Sequence, residues 1–200
     1  MRKAMLTAAL LMTTTALVSG CDRPRGGFGG KSGVKDTAYP EQVFWGDTHL
    51  HTGNSVDAFG FGARLTPEDA LRFARGEEVK SSTGLAAKLE RPLDFLVIAD
   101  HAEGIGATKA LYDAPRMLIS DPTLLRWHDL MHEGPAGSLK ATGEILQARG
   151  QNKLPPGLND PVKGAERTRK IWDENIDTVE RYNEPGKFTA FIGFEYTLMQ

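Results

Sequence analysis

The apolar positions of the chain fall into three short continuous runs, at 43–45, 93–99 and 188–194, separated by stretches whose apolar residues recur with helical spacing. A short run that is apolar at nearly every position suits a strand buried on both faces of a parallel sheet, and the run at 93–99 is the strongest of the three. Between the first two runs, Thr66 followed by Pro67, Glu68 and Asp69 marks a helix start. Thr66 is the N-cap, Pro67 takes the first helical position and Asp69 stands three residues after the cap in the first turn. Ala70, Leu71, Phe73 and Ala74 continue its apolar stripe and Gly76 ends it. Residues 77–90 are charged and rich in small side chains, which predicts a loop or an irregular turn. Residues 107–185 are mainly helical in pattern. Asp121-Pro122 opens one helix with Leu124, Leu125, Trp127, Leu130 and Met131 on its apolar face, and Pro155-Pro156-Gly157 breaks the chain. A second helix runs from Pro161 through Tyr182 with Trp172, Ile176 and Val179 as its buried stripe. Strands joined by helical crossovers run parallel, so the pattern predicts an α/β fold around a parallel sheet.

The chemistry sits where these strands end. After the first run comes Gly46-Asp47-Thr48-His49-Leu50-His51-Thr52. In an extended segment the side chains at i and i+2 share a side, so His49 and His51 can offer nitrogens to one cation while Leu50 turns into apolar packing. Asp47, Thr48 and Thr52 are candidates to hold the ring nitrogens left over. A Gly-rich loop at 53–62 follows, and Asp57 in it is near enough to present a carboxylate to the same ion, or to serve as a turn residue bonded to its own backbone. The second strand ends in Asp100-His101-Ala102-Glu103 and the third in Glu195. Parallel sheets gather function at the C-terminal ends of their strands, so these three ends are expected to meet on one rim. His128 and His132 are spaced to share a helix face, but no strand end or carboxylate pattern accompanies them, and they are read as surface or half-buried histidines.

Composition narrows the class without deciding it. Two hundred residues, 40% hydrophobic and 25% charged with a net charge of -2, describe one ordinary globular domain and give no phosphate-tracking basic surface, so no nucleic-acid partner is expected. The first twenty residues stand apart. Arg2 and Lys3, an apolar stretch at 4–18, then Ser19 and Gly20 have the order of a secretory signal, and the stretch is too short and threonine-rich to span a membrane. The single cysteine, Cys21, follows Leu17-Val18-Ser19-Gly20, which resembles the lipobox of bacterial lipoproteins. That resemblance implies cleavage before Cys21, lipidation of it and durable anchoring of an exported, periplasmic protein. Residues 21–40, rich in Gly, Lys, Arg and Pro, read as a flexible tether to a domain at 41–200.

Taken together, the segment from Gly46 to Thr52, Asp57, Thr66 to Ala70, Asp100-His101 and Gly193-Phe194-Glu195 resemble the opening motifs of the PHP (polymerase and histidinol phosphatase) superfamily. More narrowly, they resemble the family called domain of unknown function 3604 (DUF3604). The resemblance implies a distorted, TIM-like β/α barrel with a cluster of divalent metals that hydrolyses phosphoesters. By position it makes His49, His51, Asp57, His101 and Glu195 metal ligands, sets Asp100 behind them, and gives Glu103 no secure counterpart. A complete barrel has eight strands and about 250 residues, against three strand patterns here, so an N-terminal portion of the barrel is expected. Mixed imidazole and carboxylate ligands suit Zn, Mn or Fe rather than Ca. The expected activity is a metal-dependent hydrolase of the cell envelope acting on a small phosphoester or similar ester. The alternative is a metal-stabilised binding module on the same fold that holds a ligand without turnover.

Overall fold

The structure is a computed structural model that describes residues 42–197. The signal sequence expected at 1–20, Cys21 and the tether at 21–40 lie outside the described residues. The elements in chain order are β1 (Gly46–Leu50), α1 (Val56–Gly60), α2 (Pro67–Ala74), β2 (Val79–Lys80), β3 (Ala86–Ala87), β4 (Phe95–Ile98), α3 (Ala107–Asp113), a 3-10 turn (Arg116–Leu118), α4 (Pro122–His132), α5 (Pro135–Gly150), α6 (Pro156–Asn159), α7 (Pro161–Tyr182) and β5 (Thr189–Ile192). β1, β4 and β5 form a parallel sheet in that order, which bears out the α/β class. No closed barrel forms among the described residues. Among them, too, no helix is long and apolar enough to cross a membrane.

The first strand lies further along the chain than its apolar run suggests. Val43, Phe44 and Trp45 are exposed and precede the strand. Trp45 and Asp94 exchange two bonds, Trp45 N–H to Asp94 Oδ2 and Asp94 N–H to Trp45 O, both 2.6 Å, and the ladder then opens with Gly46 opposite Phe95. The pairing is close enough there to require glycine: a Cβ on Gly46 would lie 2.3 Å from the Phe95 carbonyl oxygen. Between Asp47 and Leu50 the register shifts by one residue against β4, and in that irregular stretch the His49 N–H donates to Asp47 Oδ1 at 2.8 Å.

β4 is buried on one face rather than two. Leu96 and Ile98 pack with Ala70, Leu71 and Ala74 of α2, Val179 of α7, Phe188 and Ala190, and Leu50 leans on the same cluster. Phe95 and Val97 on the other face are half-buried, and Phe191 and Ile192 of β5 are largely exposed. The reason is coverage: the helices that contact the sheet, α2 and α7, belong to the cluster on the Leu96 and Ile98 face. The α2 start is as read from the sequence, a capping box in which the Thr66 side chain accepts from the Asp69 N–H and Asp69 accepts from the Thr66 N–H.

Two segments read as loops contain short elements. Residues 77–90 hold an antiparallel β2–β3 pair closed by a turn in which Ser81 N–H donates to Leu85 O at 2.7 Å. Two-residue strands are too short to show alternation in a sequence. The Gly-rich loop contains α1, held by Phe59, which is 1% exposed. On α7 the buried residues are Asn175 and Val179, while Trp172 and Ile176 are half-buried. α4 begins at its expected Asp121 cap, whose Oδ1 accepts from Thr123 N–H and Leu124 N–H. Phe59, Leu111, Leu124, Trp127, Met131, Ala141 and Ile145 form a second core, separate from the sheet cluster.

The contact at Gly46 yields the first prediction. Gly46→Ala forces a methyl against the Phe95 carbonyl and is expected to cost about 1–3 kcal/mol in urea unfolding. An unchanged midpoint would show that the ladder does not depend on this approach.

Candidate metal centre

The three strand ends meet. His51 follows the last residue of β1, while His101 and Glu195 lie three positions beyond the ends of β4 and β5. The ladder between β4 and β5 continues past both strands as a parallel bridge between His101 and Glu195, with Glu195 N–H donating to Asp100 O at 3.1 Å and Ala102 N–H to Glu195 O at 2.9 Å. Two ligand-type side chains are thus placed side by side by main-chain bonds alone. Asp57 arrives from the first turn of α1. His49 and His51 lie on one side as their spacing requires, with ring centroids 4.9 Å apart, and His101 meets His51 edge-on at the same separation.

The polar atoms of this group converge. Glu195 Oε2 stands 3.0 Å from His49 Nε2, 2.9 Å from His51 Nε2 and 3.6 Å from His101 Nε2. Two atoms each ~2.1 Å from one tetrahedral ion stand roughly 3.4 Å apart, so these separations fit a shared ion. Buried His51 Nε2 decides more than the distances do. It is not aligned for a hydrogen bond to Glu195 and has no hydrogen-bond partner among the described residues, although its other nitrogen, Nδ1, lies 2.9 and 3.0 Å from the two Asp57 oxygens. An Nδ1–H donated to Asp57 leaves the Nε2 lone pair for a cation, which is how a carboxylate fixes a ligand imidazole in one tautomer. His49, His51 and Glu195 form one group able to hold a metal ion, and His51, Asp57 and His101 a second.

Charge favours the same outcome. Burial pushes the Asp57 carboxyl upward, but hydrogen bonds from Ser55 Oγ and the Ala58 N–H, together with His51, outweigh it and hold the group below its ordinary value. Glu195 is likewise held low, its desolvation outweighed by the His49 contact and the charges of the three histidines. Both are therefore ready as anionic ligands. Asp100 is the opposite case, 3% exposed, where burial prevails over its hydrogen bonds from Thr52 and raises the pKa.

Residues 38–200 match the family described as "Protein of unknown function (DUF3604)". The chain belongs to this family. Searches among curated proteins and among solved structures gave no match.

In this DUF3604 chain the supporting residues differ from those the sequence suggests. Asp47 bonds the backbone of His49 rather than a ring nitrogen, and Thr52 binds Asp100 through its N–H (2.5 Å) and hydroxyl (2.7 Å). Asp47, a short side chain beside the ligand-type residues, reaches a main-chain group first, and Thr52 is taken up by the buried Asp100 carboxylate. The ring nitrogens are met instead by Thr197, whose Oγ1 is 2.9 Å from His101 Nδ1, and by Asp57. Ser55, fully buried, donates to Asp57 Oδ1 at 2.6 Å and accepts the His101 N–H at 3.3 Å. Sequence reasoning missed Ser55 and Thr197, since a lone hydroxyl carries no spacing signal. Glu103 lies beside the group: its Oε1 accepts the Thr197 N–H at 3.0 Å, and its buried Oε2 has no hydrogen-bond partner among the described residues. His128 and His132 stay apart from the centre, ring on ring at 4.2 Å, with His132 Nδ1 2.8 Å from the His128 carbonyl oxygen and Tyr112 stacked on His132.

Asp100 holds two strand ends through buried bonds, which sets the second prediction. Asp100→Ala leaves the Thr52 donors without their acceptor and is expected to lower stability by roughly 2–4 kcal/mol in denaturant unfolding, with Asp100→Asn costing less. Equal losses for the two variants would show that the side-chain bonds to Thr52 are not what the position contributes.

Proposed function

We propose that residues 41–200 adopt a PHP-type β/α fold whose sheet rim holds divalent Zn, Mn or Fe and hydrolyses a small ester, a phosphoester foremost. The convergence of three imidazole Nε2 atoms on Glu195 Oε2, with His51 Nε2 buried and otherwise unbonded, carries this reading. The placement of ligands beyond the C-terminal ends of parallel strands supports it further, as does the sheet order, in which strands adjacent in the chain's parallel series are adjacent in space. The signal-like residues 1–20 and Cys21 support export and anchoring to a bacterial membrane, with the site in the periplasm.

A metal bound here supplies a Lewis acid and a water of lowered pKa. The chain's own residues do the rest. His49, His51, His101 and Glu195 present nitrogens and a carboxylate oxygen to one locus, Asp57 keeps the proton of His51 on Nδ1, and Thr197 orients His101 from behind. Glu103 lines the cavity that Asp57 and His101 also line, and its carboxylate, held by the Thr197 N–H through Oε1, is the group we assign to take a proton from the attacking water or return one to the leaving group.

The test is metal analysis and turnover on the chain lacking residues 1–21. At least one transition metal per chain is expected after loading, with His51→Ala losing more of it than His49→Ala because His51 belongs to both groups. Hydrolysis of p-nitrophenyl phosphate is expected to follow metal content. A folded chain that takes up no metal sinks the proposal, while metal and ligand binding without hydrolysis of any ester would make the protein a binding module. Glu103→Gln is expected to keep its metal and lose about 100-fold or more in kcat. An unchanged kcat would remove Glu103 from the reaction.

A further inference from the structure

The metal rim opens into a cavity of about 240 Å³ whose walls come from the helical region: α3 and α5 contribute Ala107, Ile145 and Leu146, and Leu154 and Leu158 close it. Asp57, His101 and Glu103 also line this cavity. A second cavity of about 390 Å³ shares Gly104, Arg149, Leu154 and Leu158 with the first and is lined further by Arg167 of α7. The two are therefore neighbours along one surface, with the rim's ligand-type residues lining the first and a pair of guanidinium groups the second.

Arg72, Arg75, Arg91, Arg116, Arg126 and Arg181 each stand against a carboxylate. Among the described residues Arg64, Arg149, Arg167 and Arg169 do not; Arg64 is spent on the Phe59 and Ala63 carbonyls and the Ser138 hydroxyl, and Arg169 is exposed, which leaves Arg149 and Arg167 as the pair that lines the second cavity. Arg149 is held in place by its bond to the Glu103 carbonyl, 2.9 Å, and its guanidinium packs over Gly104, where a Cβ would lie 2.6 Å from Nη1. Arg167 is half-buried with its Nε buried and unbonded. Burying part of a cation without a partner is costly, and guanidinium forks match oxyanions in geometry. Asp160 also lines the second cavity, but its Oδ1 caps α7 by accepting the Val162 and Lys163 N–H groups.

We propose that Arg149 and Arg167 bind a second, distal oxyanion of the substrate, whose apolar middle fills the cavity between them and the metal rim. The proposal rests on the hydrolase reading for the reacting end alone. The substrate class is thus an ester carrying an apolar body and a carboxylate or phosphate-like tail.

Octanoate tests the tail subsite without turnover. Its binding to the metal-free chain is measured by calorimetry beside 1-octanol and inorganic phosphate. Octanoate is expected to bind at least about tenfold more tightly than either, since only it offers both parts. Arg167→Gln is expected to lose that advantage while melting no lower than the parent chain, because its Nε gives up no bond. Arg149→Gln is expected to lose it as well. Octanoate bound no better than 1-octanol, or equally by parent and Arg167→Gln chains, overturns the proposal. Phosphate bound as tightly as octanoate overturns the apolar part and leaves a bare anion site. Metal uptake on loading the same chain separates the two readings: octanoate bound by a chain that takes up no metal on loading fails the hydrolase reading alone, and metal taken up by a chain that does not bind octanoate fails the tail subsite alone.

Discussion

Asp100 is the joint on which the rim depends. Its carboxylate takes both donors of Thr52, at the end of β1, and its carbonyl takes the Glu195 N–H from beyond β5, while the residue itself continues β4. One residue therefore holds three strand ends in register at the point where ordinary ladder pairing runs out. It is buried, and burial raises its pKa against the opposing effect of the hydrogen bonds it accepts from Thr52. Ligand-type side chains on three separated segments can converge within 3.6 Å of one carboxylate oxygen only if their backbones are fixed this tightly.

His51 plays the corresponding part among the side chains. It is the ring that both candidate metal groups share, and its side chain is 13% exposed against 61% for His49. A neutral imidazole has one proton to donate. Once that proton is committed to Asp57, the remaining nitrogen has a single direction to offer, toward Glu195. The exposed His49 lies at the outer side of the group and His101 at the inner side, where the cavity walled by the helical region begins.

The sequence shows this centre more clearly than it shows the fold around it, and the reason is chemical. His49, His51, His101 and Glu195 are residue types that a strand end does not need for packing, so their positions stand out. Strand limits do not stand out in the same way. The run Val43-Phe44-Trp45 looks like the first strand, yet the close approach of Gly46 to Phe95 starts the ladder later, and a contact between residues 49 positions apart leaves no local trace. β4 reads as buried on both faces because apolar content does not say whether a covering layer is present. Ser55 and Thr197 act through single hydroxyls, and Arg149 and Arg167 become a pair only because the end of α5 and the start of α7 line one cavity.

The helical region between β4 and β5 has a core of its own, built on Trp127, Met131 and Ile145 and distinct from the cluster beneath the sheet. It meets the rim through α1, whose Phe59 belongs to that helical core while Asp57, two residues earlier, belongs to the ligand group. This short helix is therefore one joint between the two cores, beside the bond from Arg149 of α5 to the Glu103 carbonyl and the packing of Val179 of α7 under the sheet. Side chains of α3 and α5 that face the cavity can change without disturbing Asp100, Thr52 or the β4–β5 bridge, because none of those bonds passes through the helical core. The main-chain register of the rim and most of the cavity wall are in this way set by different contacts, and Asp57 and His101 are where the two meet.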